Sequence, residues 1–270
     1  MGVDRLVMLL TDASSIKEVI AFPTLKPISD DKEFPKPKIN FLKKPEYFEI
    51  DPKVKEVFPS VSVGVALVSG VKVQKSNAEL EEEKKILLGE FANLTTEELS
   101  KFPEILSYRK LYKAMGIDWH SRRPSPEALL RRIALKKGLY TVNTLVDAYN
   151  LVVMKYHVSV GAFDADNINF PTLLRFAGAG DQILLLGDEK TTLYTEKELA
   201  YYDKKGGYNI DFNYRDAQRT MVTEGTTNIW INVDGIYDIT SEMVERSLSE
   251  SINLIIKYCG GKLEFKGVII

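Results

Sequence analysis

An α+β fold is predicted for this chain, because strand-like alternations are interspersed with helical stretches and no strict strand–helix–strand repeat orders them. Size permits it: 270 residues, 44% hydrophobic and 10% aromatic, build one large domain or two ordinary ones around a proper core. A third observation sets the boundaries. Prolines 23, 27, 35, 37, 45 and 52 fall among lysines and acids with no periodic apolar face, which reads as an extended linker. We therefore expect a short helical tail over 1–26, a linker over 27–54 and a globular domain over 55–270.

Each element follows from local pattern. Asp4–Leu10 is an apolar run that leads into Ser15-Ile16-Lys17-Glu18, a capping box that starts a second short helix before Pro23. Val61, Val63, Val65 and Leu67 alternate with small residues and predict a strand ended by Gly70. Asn77–Ala92, with Leu80, Ile86, Leu87 and Phe91 as a stripe, predicts a solvated amphipathic helix. Thr95-Thr96-Glu97-Glu98 is another capping box, and Pro103–Met115 reads as a helix stopped by Gly116. Ser125-Pro126-Glu127 opens a helix that ends at Gly138, since proline suits the first helical position and glutamate the positive dipole end. Thr144–Tyr156 and Ser241–Tyr258 predict further helices, and Val158–Phe163, Ile183–Leu186, Ile229–Val233 and Lys262–Ile270 predict strands.

Composition narrows the function. Lys plus Arg number 36 against 38 Asp plus Glu, so any nucleic-acid surface must be local. It is found between Arg109 and Lys137, where nine basic residues face only Asp118 and Glu127, with Tyr108, Tyr112 and Trp119 near for stacking. Ordinary exposed helix faces are the alternative. One cysteine, Cys259, excludes a disulfide framework and a cysteine zinc cluster and fits a reducing compartment. The longest uncharged run, Val57–Val71, is too short and glycine-broken to span a membrane, and the start lacks a secretory signal, so a cytoplasmic protein is expected.

Standard catalytic machinery is absent from the motifs. His120 and His157, the only histidines, have neither metal-ligand spacing nor a serine partner. Gly178-Ala179-Gly180 lacks the rest of a phosphate loop, and Asp164-Ala165-Asp166 fits a turn better than a cation site. No metal or cofactor is expected. Asn213-Tyr214-Arg215-Asp216-Ala217-Gln218-Arg219-Thr220 is dense in planar hydrogen-bonding groups and suits either recognition of a carboxylate, phosphate or tRNA 3′ end, or a salt-bridged turn.

Two resemblances add to this reading. Val142-Asn143-Thr144-Leu145-Val146-Asp147-Ala148-Tyr149-Asn150, continuing through Val160-Gly161-Ala162-Phe163-Asp164, resembles a signature of the B3/4 editing domain of the phenylalanyl-tRNA synthetase β subunit. Val222-Thr223-Glu224-Gly225-Thr226-Thr227-Asn228 is similar to a later stretch of that domain, and Arg122-Arg123-Pro124-Ser125 with Arg215-Asp216 resembles its free-standing relatives. Separately, Gly2–Asp12 and Ser15–Pro23 resemble the end of a class II lysyl-tRNA synthetase, without its other catalytic motifs. The first resemblance implies mixed sheets with flanking helices and a central pocket that hydrolyses wrongly charged tRNA.

Carried over by position, Asn150 and Gly161 line that pocket, Asp216 and Ala217 stand at the family's paired glycines, and Asn232 and Asp234 lie on the facing strand. Gly161 replaces the family histidine and Asn232 its glutamate, which implies a changed substrate. We assign Asn150, Asn232 and Asp216 to catalysis and Asn143, Gly161, Arg215, Ala217, Arg219 and Asp234 to substrate binding. Arg122, Arg123, Arg131 and Arg132 are assigned to tRNA. An activated ester needs only a positioned water and oxyanion donors, which agrees with the lack of a triad. The expected function is trans-editing of aminoacyl-tRNA, with an aminoacyl-tRNA synthetase as a further partner. The alternatives are a non-catalytic tRNA-binding module and, as an outsider, a free-amino-acid binder.

Overall fold

The structure, a computed structural model, describes residues 47–270, so the tail 1–26 and the linker up to residue 46 lie outside the described residues. The elements in order are β1 (Phe48–Ile50), α1 (Pro52–Val57), β2 (Ser62–Ser69), α2 (Ala78–Glu90), α3 (Thr96–Leu99), α4 (Pro103–Ala114), α5 (Ser125–Ala134), α6 (Thr144–Tyr156), β3 (Ser159–Asp164), β4 (Thr172–Phe176), β5 (Gln182–Ile183), β6 (Thr192–Leu193), β7 (Leu199–Asp203), β8 (Gly206–Gly207), β9 (Asn209–Ile210), β10 (Arg215–Asp216), β11 (Asn228–Gly235), α7 (Ser241–Cys259) and β12 (Lys262–Ile269). The class is α+β.

Helix starts obey their capping residues. Asn77, Thr95 with Glu98, Asn143 and Thr240 each accept an otherwise orphan N–H at the start of α2, α3, α6 and α7. The stripe expected on α2 is narrower than the sequence suggests: Leu80 is buried but Ile86 is exposed, and the second buried side chain is Lys84. That ammonium lies 3.1 Å from Asp147 Oδ2 and 3.0 Å from Glu81, and Asp147 also accepts from Val142 N, so α2 is tied to the start of α6 by a buried ion pair.

The main sheet runs β12-β2-β11-β3, wholly antiparallel. Side chains alternate across it, and Gly64 and Val233 face α7. A Cβ at Gly64 would sit 2.9 Å from Val244 Cγ1, so glycine there lets α7 press onto the sheet. Val244, Leu248, Ile252 and Ile255 of α7 are buried, each contributing about 1.5–3 kcal/mol. The other face of β11 carries Trp230, Asn232 and Asp234 toward an aromatic layer, with Trp230 5.0 Å from Phe170 and Phe163 4.8 Å from Tyr208 between ring centres. Tyr208 stacks in turn on Tyr201 of a second sheet, β1-β4-β7-β8, in which β1 and β4 run parallel. A strand lies inside the stretch read as linker: Phe48 is fully buried and pairs with Thr172, an apolar strand concealed by its proline-rich setting. The strand expected over Ile183–Leu186 is cut to Gln182–Ile183 plus a single bridge from Leu185 to Ala217.

Candidate functional site

The segment ahead of α5, the middle of α6, β3 and the β9–β10 connection meet around an open cavity of about 190 Å³. Its polar lining is Arg123, Ser125, Asn150, Asn213 and Asp216; Ala128, Leu129, Tyr149 and Val160 supply the apolar part, and Gly161 and Tyr214 complete it. The start of α5 has no side-chain cap; Pro126 carries no N–H and Ala128 N bonds the Pro124 carbonyl at 2.9 Å, which leaves the N–H groups of Ser125 and Glu127 without a side-chain acceptor.

The β9–β10 connection is strained. Asp211, Phe212 and Asn213 follow one another with φ of 54°, 56° and 65°, a left-handed run that costs about 1–2 kcal/mol per residue, less for Asp and Asn. Surrounding groups over-determine it. Phe212 is buried, the Tyr112 hydroxyl donates to the Asp211 carbonyl at 2.9 Å, and Arg122 Nη1 donates to the Asp211 carboxylate at 3.0 Å. Asn213 Nδ2 donates to Asp234 Oδ2 at 2.8 Å, and its Oδ1 accepts from Asn209 Nδ2 at 2.7 Å. Such strain held in place by neighbours is a feature of functional sites.

Behind the cavity lies a polar layer. Asp234 is fully buried, accepts from Tyr201 and Asn213, and burial pushes its carboxyl up to about 7 against the pull of those bonds. The Tyr108 hydroxyl donates to the Asp234 carbonyl at 2.7 Å and accepts from Ser159 N at 2.8 Å, bridging β3 to β11 where the strands splay. That bridge fixes the phase of the ladder: Ser159 and Gly161 turn their main-chain groups toward β11, so those of Val160 and Ala162 point out along the open edge of the sheet. Asn232 stands opposite Gly161, fully buried; its Oδ1 accepts from the Tyr208 hydroxyl at 3.3 Å and its Nδ2 has no partner among the described residues.

Asp216 differs from Asp234. It sits on the cavity wall with partial solvent contact, no hydrogen bond to its carboxylate among the described residues, and a carboxyl pushed up to about 7 by burial alone. Gly161 has its own role: a Cβ there would lie 2.7 Å from Asn213 Oδ1, so the amide of Asn213 occupies the volume that a side chain at 161 would need.

A family model described as the B3/4 domain matches residues 107–260. The chain belongs to the B3/4 domain family. The beta subunit of phenylalanine–tRNA ligase from Psychrobacter arcticus is 38% identical to this B3/4 chain over 95 residues, 35% of this chain and 12% of that one. Residues 1–26 match a model of class II tRNA synthetases (D, K and N), and a lysine–tRNA ligase from Synechococcus is 73% identical over 30 residues, 11% of this chain and 6% of that protein. The matched stretches thus span only a small part of the curated relatives. An N-terminal fragment of the phenylalanyl-tRNA synthetase beta subunit from Pyrococcus horikoshii aligns with 86% of this chain and 56% of its own, at 16% identity and a TM-score of 0.44.

The B3/4 fold brings Asn150, Gly161 and Asp216 to one cavity and sets Asn232 and Asp234 in the layer behind it. Asn143 stands apart, with its Oδ1 accepting from Leu145 N and Val146 N as the cap of α6. Ala217 and Arg219 line a second cavity of about 360 Å³ with Lys205 and Gln218. Arg219 is held there by Asp203 at 2.8 Å, and Arg215 is held by Asp188, also at 2.8 Å. Arg122 pairs with Asp211 and Glu198, Arg132 stacks over Tyr140 at 3.8 Å, and Arg131 lies in the last turn of α5. The residue that sequence reasoning placed elsewhere is Arg123, assigned to tRNA but lining the cavity; its position just ahead of a Ser-Pro-Glu helix start was the available signal. Among the described residues no helix is long and apolar enough to cross a membrane.

Proposed function

We propose that this chain binds the acylated 3′ end of a tRNA and hydrolyses the ester of a wrongly attached amino acid. The supporting observation is the half-open cavity around Asn150, Gly161 and Asp216, lined by both polar and apolar side chains. In the reaction a water adds to the ester carbonyl, the bond to the ribose oxygen breaks, and the proton passes to that oxygen, so free amino acid and a tRNA hydroxyl result. Asn150 orients the ester or the water. N–H donors at the uncapped start of α5 face the developing oxyanion, a contribution of about 3–4 kcal/mol where such donors are well placed. Asn232 and Asp234 touch no substrate in this scheme and act as positioning residues through Gly161 and Asn213.

A second reading, retention of tRNA without hydrolysis, is favoured by one observation: Asn213 fills the volume beside Gly161, so no side-chain base can stand there. Deacylation of a panel of mischarged tRNAs decides between them. We expect one or more to be cleaved above the buffer rate, and Asn150→Ala to slow that cleavage by about tenfold to hundredfold. No cleavage of any, with tRNA binding that falls steeply with salt, would establish the second reading instead.

A further inference from the structure

Of the three aromatic residues that accompany the basic segment, Tyr108 and Tyr112 are fully buried and cannot meet a ligand. Trp119 is half-buried, and its neighbour His120 is exposed. The two rings stack with centres 3.6 Å apart and planes inclined by 29°. The Arg109 guanidinium, held by Glu127 at 2.8 and 3.0 Å, lies 4.0 Å from the centre of the indole and supports it. Core packing accounts for the indole, which rests partly against the core; it does not account for the imidazole, which faces solvent. The loop keeps this pair in place. Asp118 Oδ1 accepts from His120 N at 2.9 Å, and the Asp118 carbonyl accepts from Ser121 N at 3.1 Å, Ser121 Oγ at 2.8 Å and Arg122 N at 3.0 Å. Arg122 then ties the loop to the buried Asp211 at 3.0 Å. A ring already fixed in place loses little freedom when a ligand stacks on it. Lys113 adds charge: it stands one helical turn beyond Arg109 on the same face of α4, exposed and in no ion pair among the described residues.

We infer that Trp119 and His120 form a stacking platform outside the cavity for an unpaired base of single-stranded RNA, with the base on the His120 ring and a phosphate near Lys113. Stacking needs only the flat face that every base has, so the platform holds the strand without reading its sequence. Its place fits the end of a tRNA, a step that rests on the reading proposed above. Arg123 lines the cavity and follows His120 by three residues, so the two backbones lie within about 11 Å of each other. A stacked strand advances about 3.4 Å per nucleotide, which sets the platform at most about three nucleotides from one seated in the cavity. The bases it takes are therefore those just before the terminal nucleotide.

The test is a fluorescence-polarisation titration of the full chain with a short dye-labelled RNA ending in cytidine-cytidine-adenosine, repeated on His120→Ala, His120→Phe and Lys113→Ala. His120 is exposed, so these variants are expected to melt with the parent. His120→Ala is expected to weaken binding by about fivefold to a hundredfold, the range that one stacked base contributes, and His120→Phe to restore it. Lys113→Ala is expected to weaken binding and to lower the salt slope by about one. An RNA that lacks the bases before its terminal adenosine should bind the parent and His120→Ala alike. Deacylation measured in parallel separates this inference from the reading beneath it. RNA binding that depends on His120 without cleavage of any charged tRNA would keep the platform and reject hydrolysis; cleavage with an unchanged KM in His120→Ala would keep hydrolysis and reject the platform. Equal affinity of the intact RNA for the parent and His120→Ala, failure of His120→Phe to restore binding, or no RNA binding by the parent overturns the inference.

Discussion

Asp211 and Asp216 stand at the two ends of one tight turn and have opposite surroundings. Asp211 is fully buried, with Arg122 at 3.0 Å, the equally buried Glu198 beside it, and the Tyr112 hydroxyl on its carbonyl. Burial and the neighbouring Glu198 carboxyl push it up to about 8 against the pull of Arg122. Asp216 faces the cavity and has no protein partner among the described residues. At Asp211 the carboxylate is answered inside the protein, whereas at Asp216 no side chain among the described residues answers it. The basic segment Arg109–Lys137 teaches the same lesson, since Arg109, Arg122 and Arg123 lie beside buried acids and only part of the charge counted in the sequence is free.

The largest test strikes the answered end. Arg122→Ala leaves two buried carboxyls without their cation and is expected to cost about 3–5 kcal/mol in chemical unfolding; a loss under about 1 kcal/mol would show that the turn does not depend on this pair. Asn213 comes next. Asn213→Gly keeps the left-handed conformation and loses the bonds to Asp234 and Asn209, and Asn213→Ala loses both, so alanine should be worse than glycine by about 1 kcal/mol. If the two variants unfold together, the left-handed run is not the source of strain.

A pH series sharpens the contrast. A carboxyl raised to about 7 in the fold binds its proton more tightly than the unfolded chain does, so its stabilising effect is full below about pH 4 and is lost as pH rises through 7. Asp216→Asn should therefore flatten the fall in melting temperature between those limits, and Asp234→Asn should do so while also breaking the bonds of the buried layer; an unchanged slope in both variants would contradict the assignment. The smallest effect is expected at Arg131→Ala, within about 0.5 kcal/mol of the parent in stability, with any change confined to the salt dependence of tRNA binding.

Much of this fold was legible in local pattern. Asn77 and Thr95 with Glu98 mark their helices because capping is a short-range interaction, and Ser125-Pro126-Glu127 marks its own through the proline of the first turn, with no side-chain cap. The long strands β2 and β11 were equally plain, since a buried strand writes an apolar run, and β12 shows instead Leu263 and Phe265 alternating with charged residues. Thr172–Phe176 and Leu199–Asp203 were not, for they are short and depend on partners such as Tyr47–Ile50 that the prolines concealed. At the site, Asn150, Gly161 and Asp216 were reachable through the resemblance of separated motifs. The place of Arg123 in the cavity and the occupation of the space beside Gly161 by Asn213 were not, because both arise where distant segments meet.

The most direct test is a crystal structure of the full chain with a hydrolysis-resistant aminoacyl-adenosine, its amino acid joined to the ribose through an amide. The amino acid is expected in the cavity lined by Asn150, Gly161 and Asp216, with the amide that replaces the ester within about 2.7–3.2 Å of a polar atom of Asn150 and the ribose toward solvent. An analogue bound in the larger cavity beside Ala217 and Arg219, with the space at Asn150 and Asp216 holding only water, would contradict it.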